Sequence, residues 1–265
     1  MRLPRSVRGA AGRLVGPLRW PVRTGPNEGL AWSLASAGRG YLSGRFEDRR
    51  VRSLMELARA GDRVWDVGAH KGYVTLALSR AVGPGGRVVA IEPAEANLTL
   101  LRRHLRWNRI DNVEVVRAAI SDRPGEGLFG GGGSTLAFQL GRGDETVRVA
   151  TLAELTEQDG FEPPELLKID TEGNEAAALR GAGAWLEAVG VLCIAVHSRA
   201  LYQECSVVLR ERGFALHESA DMSCRSADPA MPWGADHELI AVAPRRSLST
   251  QALSHLPLMR TDARG

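Results

Sequence analysis

Lysine is nearly missing from this chain of 265 residues: Lys71 and Lys168 stand against thirty-two arginines. Such a ratio fits a base composition that replaces Lys by Arg wherever either cation serves. The two survivors then draw attention, because a compact ammonium and a planar guanidinium are not equivalent where geometry matters. Long apolar runs are also missing. No segment approaches the eighteen or more apolar residues of a membrane-spanning helix, and the apolar fraction is ordinary for a soluble protein. Cysteine is scarce. Cys193, Cys205 and Cys224 are odd in number and lack metal-ligand spacing, which points to free thiols in a reducing, cytoplasmic setting. Acid is absent from the first twenty-five residues, which carry Arg2, Arg5, Arg8, Arg13, Arg19 and Arg23. That stretch has no continuous apolar core of a secretory signal and no clean helical stripe. Residues 1–40 read as a basic, poorly ordered arm, with a transit peptide or a weak membrane-surface contact as the other readings. Acid and base roughly balance elsewhere, at a net charge of +3, so nothing points to nucleic acid as a partner. The length suits one domain, residues 41–243, with a loose tail over 244–265.

What is present is concentrated in Val64-Trp65-Asp66-Val67-Gly68-Ala69-His70-Lys71-Gly72. A short apolar run ends in an acid, two glycines follow, and an apolar-periodic helix begins near Tyr73. A buried strand turning sharply into a helix leaves backbone N–H groups pointing at whatever lies above the turn. Gly68 and Gly72 let the backbone bend and approach a ligand. About twenty residues on, Arg87 to Ile91 ends in Glu92, placed to accept from the hydroxyls of a ribose. A dinucleotide fingerprint requires G-x-G-x-x-G. Here the middle glycine that admits a pyrophosphate is missing and His70 stands near its place. The smaller, zwitterionic methionine part of S-adenosylmethionine fits beside Asp66, so that cofactor is favoured over NAD.

The periodicity predicts a helix over Phe46–Ala60 stopped by Gly61, a strand over Arg63–Val67 and a helix over Gly72–Val82. A strand over Arg87–Ile91, a helix over Ala94–Asn108 and a strand over Val113–Arg117 follow. Short β pieces over Gly127–Phe129, Thr135–Gln139 and Thr146–Val149 flank a four-glycine loop, Gly130 to Gly133. Next come a strand over Leu166–Ile169, a helix over Asn174–Val189, a strand over Val191–Val196 and a helix over Leu201–Arg212. A closing antiparallel pair, Phe214–His217 and Glu238–Val242, brackets Ser219 to Asp236, whose Met and Trp residues suit an acceptor-side lid. This alternation gives an α/β Rossmann-like fold: a mostly parallel sheet with an antiparallel edge strand and helices on both faces. Ligands in such sheets bind outside the carboxyl ends of the strands, where Asp66, Glu92, Asp170 and His197 all fall.

This set of residues resembles the FkbM family of S-adenosylmethionine-dependent methyltransferases. Three segments carry the resemblance: Gly61 to Gly72, Glu92-Pro93-Ala94-Glu95-Ala96-Asn97, and Leu167-Lys168-Ile169-Asp170-Thr171-Glu172-Gly173-Asn174-Glu175. It spans roughly Tyr41 to Val242. The chain departs from the family in having His70 where Asn is usual, and Ala195 where an acid often stands two residues before the final His. The resemblance implies O-methylation of sugars, polyketides or related natural products, with a glycan or glycolipid acceptor as the alternative. The readings from other classes are an NAD-dependent oxidoreductase and a catalytically silent nucleoside-binding module.

Methyl transfer to an aliphatic hydroxyl needs a base to remove the proton as attack proceeds. His197 is the first candidate, with an unperturbed pKa of about 6.5. Asp170 and Glu172 are the others. The cofactor set is Asp66, Gly68, Ala69, His70, Gly72, Glu92, Asn97, Ala118, Ala119 and Asp170, with adenine beside the small side chains of Ala118 and Ala119. Asp170, Glu172 and Glu175 could offer oxygens to a divalent cation. Residues two apart just past a strand would not share one face, however, so no metal is expected.

Overall fold

The computed structural model describes residues 18–36, 39–130, 139–141, 143–218, 238–246, 248 and 250–256. In chain order the strands are β1 (Arg19–Pro21), β2 (Ala31–Ser33), β3 (Arg63–Val67), β4 (Arg87–Ile91), β5 (Val113–Val116), β6 (Ala119–Ile120) and β7 (Gly125–Gly130). After them come β8 (Gln139–Leu140), β9 (Glu145–Ala150), β10 (Leu166–Ile169), β11 (Val191–Ala195), β12 (Ala215–Glu218) and β13 (Glu238–Val242). The α-helices are α1 (Arg39–Ser43), α2 (Asp48–Leu57), α3 (Tyr73–Val82), α4 (Glu95–Trp107), α5 (Leu152–Glu157), α6 (Glu175–Ala182), α7 (Arg199–Glu211) and α8 (Thr250–His255).

Among the described residues, seven strands form the main sheet in the order β12-β13-β11-β10-β3-β4-β5. Its central strands are continuous apolar runs because helices cover both faces. Trp65, Val67, Val89, Ile91, Leu167 and Ile169 pack on one side with α5, α6 and α7. Val64, Val88, Leu166 and Val191 pack on the other with α2, α3 and α8. The pairings from β11 through β5 are parallel. The antiparallel strand is β13, which lies one place in from the edge, with β12 outside it. Val67 pairs with both Ile91 and Ile169, so the residues that follow, Gly68, Glu92 and Asp170, leave the sheet side by side. The strand order reverses here, since β3 has the later β4 on one flank and β10 on the other. That is the position at which such sheets bind ligands. A small second sheet, β6-β9-β7-β8, is formed by the stretch of chain between β5 and α5.

Several elements differ from their expected bounds for physical reasons. The helix expected over Phe46–Ala60 ends at Leu57, where Ala58 is extended and Arg246 Nη2 donates to the Leu57 carbonyl at 2.9 Å. The helix expected through Val189 is α-helical only to Ala182. Gly183, at φ 55°, turns it into a 3-10 stretch, Gly183–Ala188. Helix α7 begins at Arg199 because the Ser198 hydroxyl caps it, accepting from Leu201 N at 3.1 Å. Helix α5 was not anticipated from periodicity, yet Thr151 and Glu154 form a reciprocal capping box, a signal readable in the sequence.

The described part of the basic arm is docked rather than loose. β1 and β2 pair, and Trp32, fully buried, stacks on His104 at 3.8 Å. His104 accepts from Ser33 N at 3.1 Å and bonds the Lys71 carbonyl at 2.8 Å, tying the hairpin to α4 and to the β3–α3 turn. Apolar anchors such as Val22 and Trp32 outweigh the Gly, Pro and Arg composition that suggested a solvated tail. The C-terminal region is likewise held over its described residues, with Leu253 and Leu256 buried and Arg246 bonded to Asp62 at 2.8 Å. The expected lid, Ser219 to Asp236, lies outside the described residues. So do Gly131 to Gly133, residues 135–138 of the expected Thr135–Gln139 strand, and Cys224. Among the described residues no helix is long and apolar enough to cross a membrane.

Candidate active site

The carboxyl edge of the sheet opens into a cavity of about 910 Å³, counting its mouth. Of the expected cofactor residues, Gly68, Ala69, His70, Glu92, Asn97, Ala118, Ala119 and Asp170 line it, as does Glu172. Asp66, Gly72 and His197 do not line it. Gly72 instead starts α3 at φ 87°, and a Cβ there would collide with the Leu101 side chain, so its glycine serves helix packing.

The β3–α3 turn is pressed against the neighbouring strand end. Gly68 sits at φ 78°, and any Cβ on it would strike the Asp170 carbonyl oxygen. His70 follows at φ 50°, a left-handed conformation that Asn and His tolerate better than most residues, which accounts for the exchange of one for the other here. Its backbone N–H donates to Glu92 Oε2 at 2.8 Å. Burial, helped by Lys71, pushes the His70 imidazole down to about 3, so it is neutral at ordinary pH. Glu92 Oε1 accepts from Ala94 N at 3.0 Å and Asn97 Nδ2 at 3.1 Å. Burial raises its carboxyl despite these donors.

Asp66 lies beneath the turn, fully buried. It pairs with Lys168 Nζ at 2.9 Å and accepts from the Thr75 hydroxyl at 2.6 Å. Lys168 also donates to the carbonyls of Val67 and Gly68, at 3.2 and 2.8 Å. The acid of the strand-one motif therefore acts on the cavity through Lys168, which lines it and holds the carbonyls of the turn. Asp170 accepts from Arg50 Nη1 at 2.7 Å. Burial alone would raise its carboxyl, but Arg50, Lys168 and His197 hold it well below the usual range. Arg50 also pairs with Glu47 at 3.0 Å and with Glu238, whose carboxyl burial lifts to about 7 against the pull of Arg50.

His197 sits just behind the cavity wall. Its Nδ1 bonds Glu175 Oε1 at 3.0 Å, and its Nε2 lies 3.6 Å from Asp170 Oδ1 and 3.5 Å from Glu172 Oε2. Glu175 is fully buried and also accepts from Thr171 N and Gly173 N, so it fixes both the loop and the ring. Burial would lower the His197 imidazole, but Glu175, Asp170 and Glu172 together raise it to about 9. Burial and the neighbouring carboxylates raise Glu172, with His197 opposing them. Glu172 can face the same point as Asp170 because its backbone is left-handed, φ 55°. This overturns the argument that residues two apart past a strand cannot converge. The ligand atoms of Asp170, Glu172 and His197 lie within 4.8 Å of one another.

Composition and spacing do not point to Arg50, Glu238 or Tyr41, which come from segments distant in the chain. Glu175 belongs to a segment already singled out, but nothing in the sequence pairs it with a histidine 22 residues on. That pairing supplies from α6 the acid that Ala195 lacks. The residues present fit an adenosyl cofactor. The glycine turn leaves its upper side to a ligand, and buried atoms without partners, Asn97 Oδ1, His70 Nε2 and the Tyr41 hydroxyl, belong to cavity-lining residues.

A family model described as the methyltransferase FkbM domain matches residues 66–224. No curated protein matches the chain. Solved structures with similar folds include a precorrin-6y C5,15-methyltransferase from Geobacter metallireducens, 16% identical, covering 78% of this chain and 93% of that one at a TM-score of 0.48. An S-adenosylmethionine-dependent O-methyltransferase from Thermotoga maritima is 18% identical, with 77% and 67% covered and a TM-score of 0.47. An O-methyltransferase from Bacillus cereus in complex with S-adenosylhomocysteine is 17% identical, with 73% and 79% covered and a TM-score of 0.46.

Proposed function

The chain belongs to the FkbM family of S-adenosylmethionine-dependent methyltransferases, and from that premise we propose that it methylates a hydroxyl of a small molecule, a natural product or a sugar. A glycan or glycolipid carrying the same hydroxyl is the second reading. The observation that carries the proposal is the Glu175–His197 pair just behind the cavity wall, a buried carboxylate fixing one ring nitrogen while the other meets Asp170 and Glu172, both of which line the cavity. This is the arrangement a general base needs when the acceptor is a weakly acidic alcohol. The left-handed His70 where a dinucleotide site needs glycine argues against NAD.

When bound, S-adenosylmethionine supplies an electrophilic methyl group on a good leaving group. The chain contributes position and a proton acceptor. Glu92 uses three of its roughly four acceptor sites on the chain's own donors, which leaves one for a ribose hydroxyl. The unpartnered Asn97 Oδ1 serves the second hydroxyl. Ala118 and Ala119 leave flat space for adenine. Gly68, Ala69 and His70 shape the turn that meets the rest of the cofactor, and Asp66 supports it through Lys168. At the acceptor, His197 Nε2 takes the proton. Asp170 and Glu172 flank the imidazolium that forms, and no metal is invoked. The buried free thiols Cys193 and Cys205 support a cytoplasmic setting.

The raised imidazole has a consequence for pH dependence. A base must be unprotonated to act, so kcat/KM is expected to climb as pH rises and to level off only near about 9, the His197 value. Glu175→Gln removes the largest raising influence and is expected to move that limb downward. A profile measured with any accepted substrate checks this. An acidic limb that persists unchanged in His197→Ala would remove His197 from the role of base. The same shift stabilises the fold through protonated His197. That contribution is whole below the unfolded histidine pKa of about 6.5 and is lost as pH rises through about 9.

A further inference from the structure

We propose that Tyr41 and Glu47 form the pocket for the amino-acid end of the cofactor: the Tyr41 hydroxyl donates to its carboxylate, and the Glu47 carboxylate receives its ammonium. The assignment rests on the ribose and adenine placement proposed above. Both residues precede the segment matched by the family model, which begins at residue 66, yet both line the same cavity.

Tyr41 is only 5% exposed, and its hydroxyl has no hydrogen-bond partner. A buried hydroxyl left without a partner is unfavourable, so it calls for one. The ring that carries it is clamped, stacked on Phe46 at 4.0 Å and on Trp32 at 5.2 Å. Burial first, then Glu47, Tyr73 and Asp170, pushes the phenol well above its ordinary range. It stays protonated and is a donor. It lines the same cavity as Glu47 and Asp170.

The strand order indicates what lies there. A ribose at the end of β4 and a base beside Ala118 and Ala119 leave the 5′ substituent pointing back over β3 and β10. Neighbouring strands are about 4.8 Å apart, so a short amino-acid chain spans that step. Gly68 and Asp170 occupy the β3 and β10 ends, and Arg50 links Asp170 to Glu47 at 2.7 and 3.0 Å. A zwitterion in this position needs a donor for its carboxylate and an acceptor for its ammonium. Asp170 has three cationic neighbours, Arg50, Lys168 and His197, whereas Glu47 meets Arg50 through one oxygen, Oε2, and is the less neutralised carboxylate. Tyr41 and Glu47 supply the pair that is still required.

The test compares two ligands on the full chain by calorimetry: S-adenosylhomocysteine, and 5′-deoxy-5′-methylthioadenosine, which lacks the amino-acid end. Tyr41→Phe keeps the ring and removes only the donor. It is expected to weaken S-adenosylhomocysteine binding about tenfold or more, as for a hydrogen bond to a charged group, and to leave methylthioadenosine binding unchanged. Glu47→Gln is expected to show the same selectivity. Unchanged S-adenosylhomocysteine affinity in both variants overturns the assignment, as does an equal loss for both ligands. A raised acceptor KM with unchanged cofactor affinity would move Tyr41 to the acceptor side and overturn it too. If the wild-type chain binds neither ligand, the ribose and adenine placement itself fails and the subsite falls with it.

Discussion

Replacing His197 by alanine is expected to lower kcat by about 10²–10⁴-fold, the range for loss of a positioned general base. Cofactor affinity should barely move, because His197 does not line the cavity that the turn and Glu92 shape. The split between kcat and cofactor Kd is what identifies the role. Loss of a group that merely supported the fold would lower kcat and raise the cofactor Kd together. The imidazole follows an apolar strand buried over Val191–Ala195, so its backbone is rigid and Glu175 sets its ring. Activity is expected to survive exhaustive chelation, since the proposed step uses His197 as the proton acceptor and no metal; loss of activity on chelation, restored by a divalent cation, would assign the Asp170, Glu172 and His197 cluster to an ion instead. A His197→Ala enzyme with near-normal kcat would shift the proton acceptor to Glu172 or Asp170, both of which line the cavity.

The second large effect is on stability. Lys168→Met is expected to destabilise the fold by about 3–5 kcal/mol, the cost of stranding one member of a buried ion pair. Lys168 is 1% exposed, and Asp66 has no exposure through which water could replace the ammonium. The carbonyls of Val67 and Gly68 lose a donor as well. The double variant Lys168→Met, Asp66→Asn removes both charges and is expected to regain a good part of the loss. Urea denaturation at neutral pH measures both. A single-variant loss below about 1 kcal/mol, the range of exposed pairs, would mean the pair does not hold the turn.

Much of this arrangement is legible in the sequence. The Arg63–Val67 and Arg87–Ile91 strands have the bounds their apolar runs imply, because strands buried on both faces need continuous apolar residues. Glu92 and Asp170 could be placed at one edge because parallel register brings successive strand ends together. The scarcity of lysine also carried information, since Lys168 occupies a buried site whose carbonyls and carboxylate converge on a point charge. What local pattern could not convey was long-range pairing. Asp66 reads as a ligand contact, yet it is spent on Lys168. His197 reads as alone beside Ala195, yet its carboxylate comes from α6. Arg50 and Tyr41 lie in a segment whose composition is ordinary, and only folding sets them against β10. The backbone of Glu172 turns left-handed inside a loop that Glu175 holds through Thr171 N and Gly173 N, which the residue type there does not announce.

The measurement that bears most directly on the central claim is transfer of a carbon-13-labelled methyl group from S-adenosylmethionine to a panel of hydroxylated natural products and sugars, with the new bond identified by NMR. A methyl ether formed by the wild-type chain and lost in His197→Ala is the result this structure predicts. Labelled methyl found only on nitrogen, carbon or sulfur, or an ether formed equally well without His197, would contradict it.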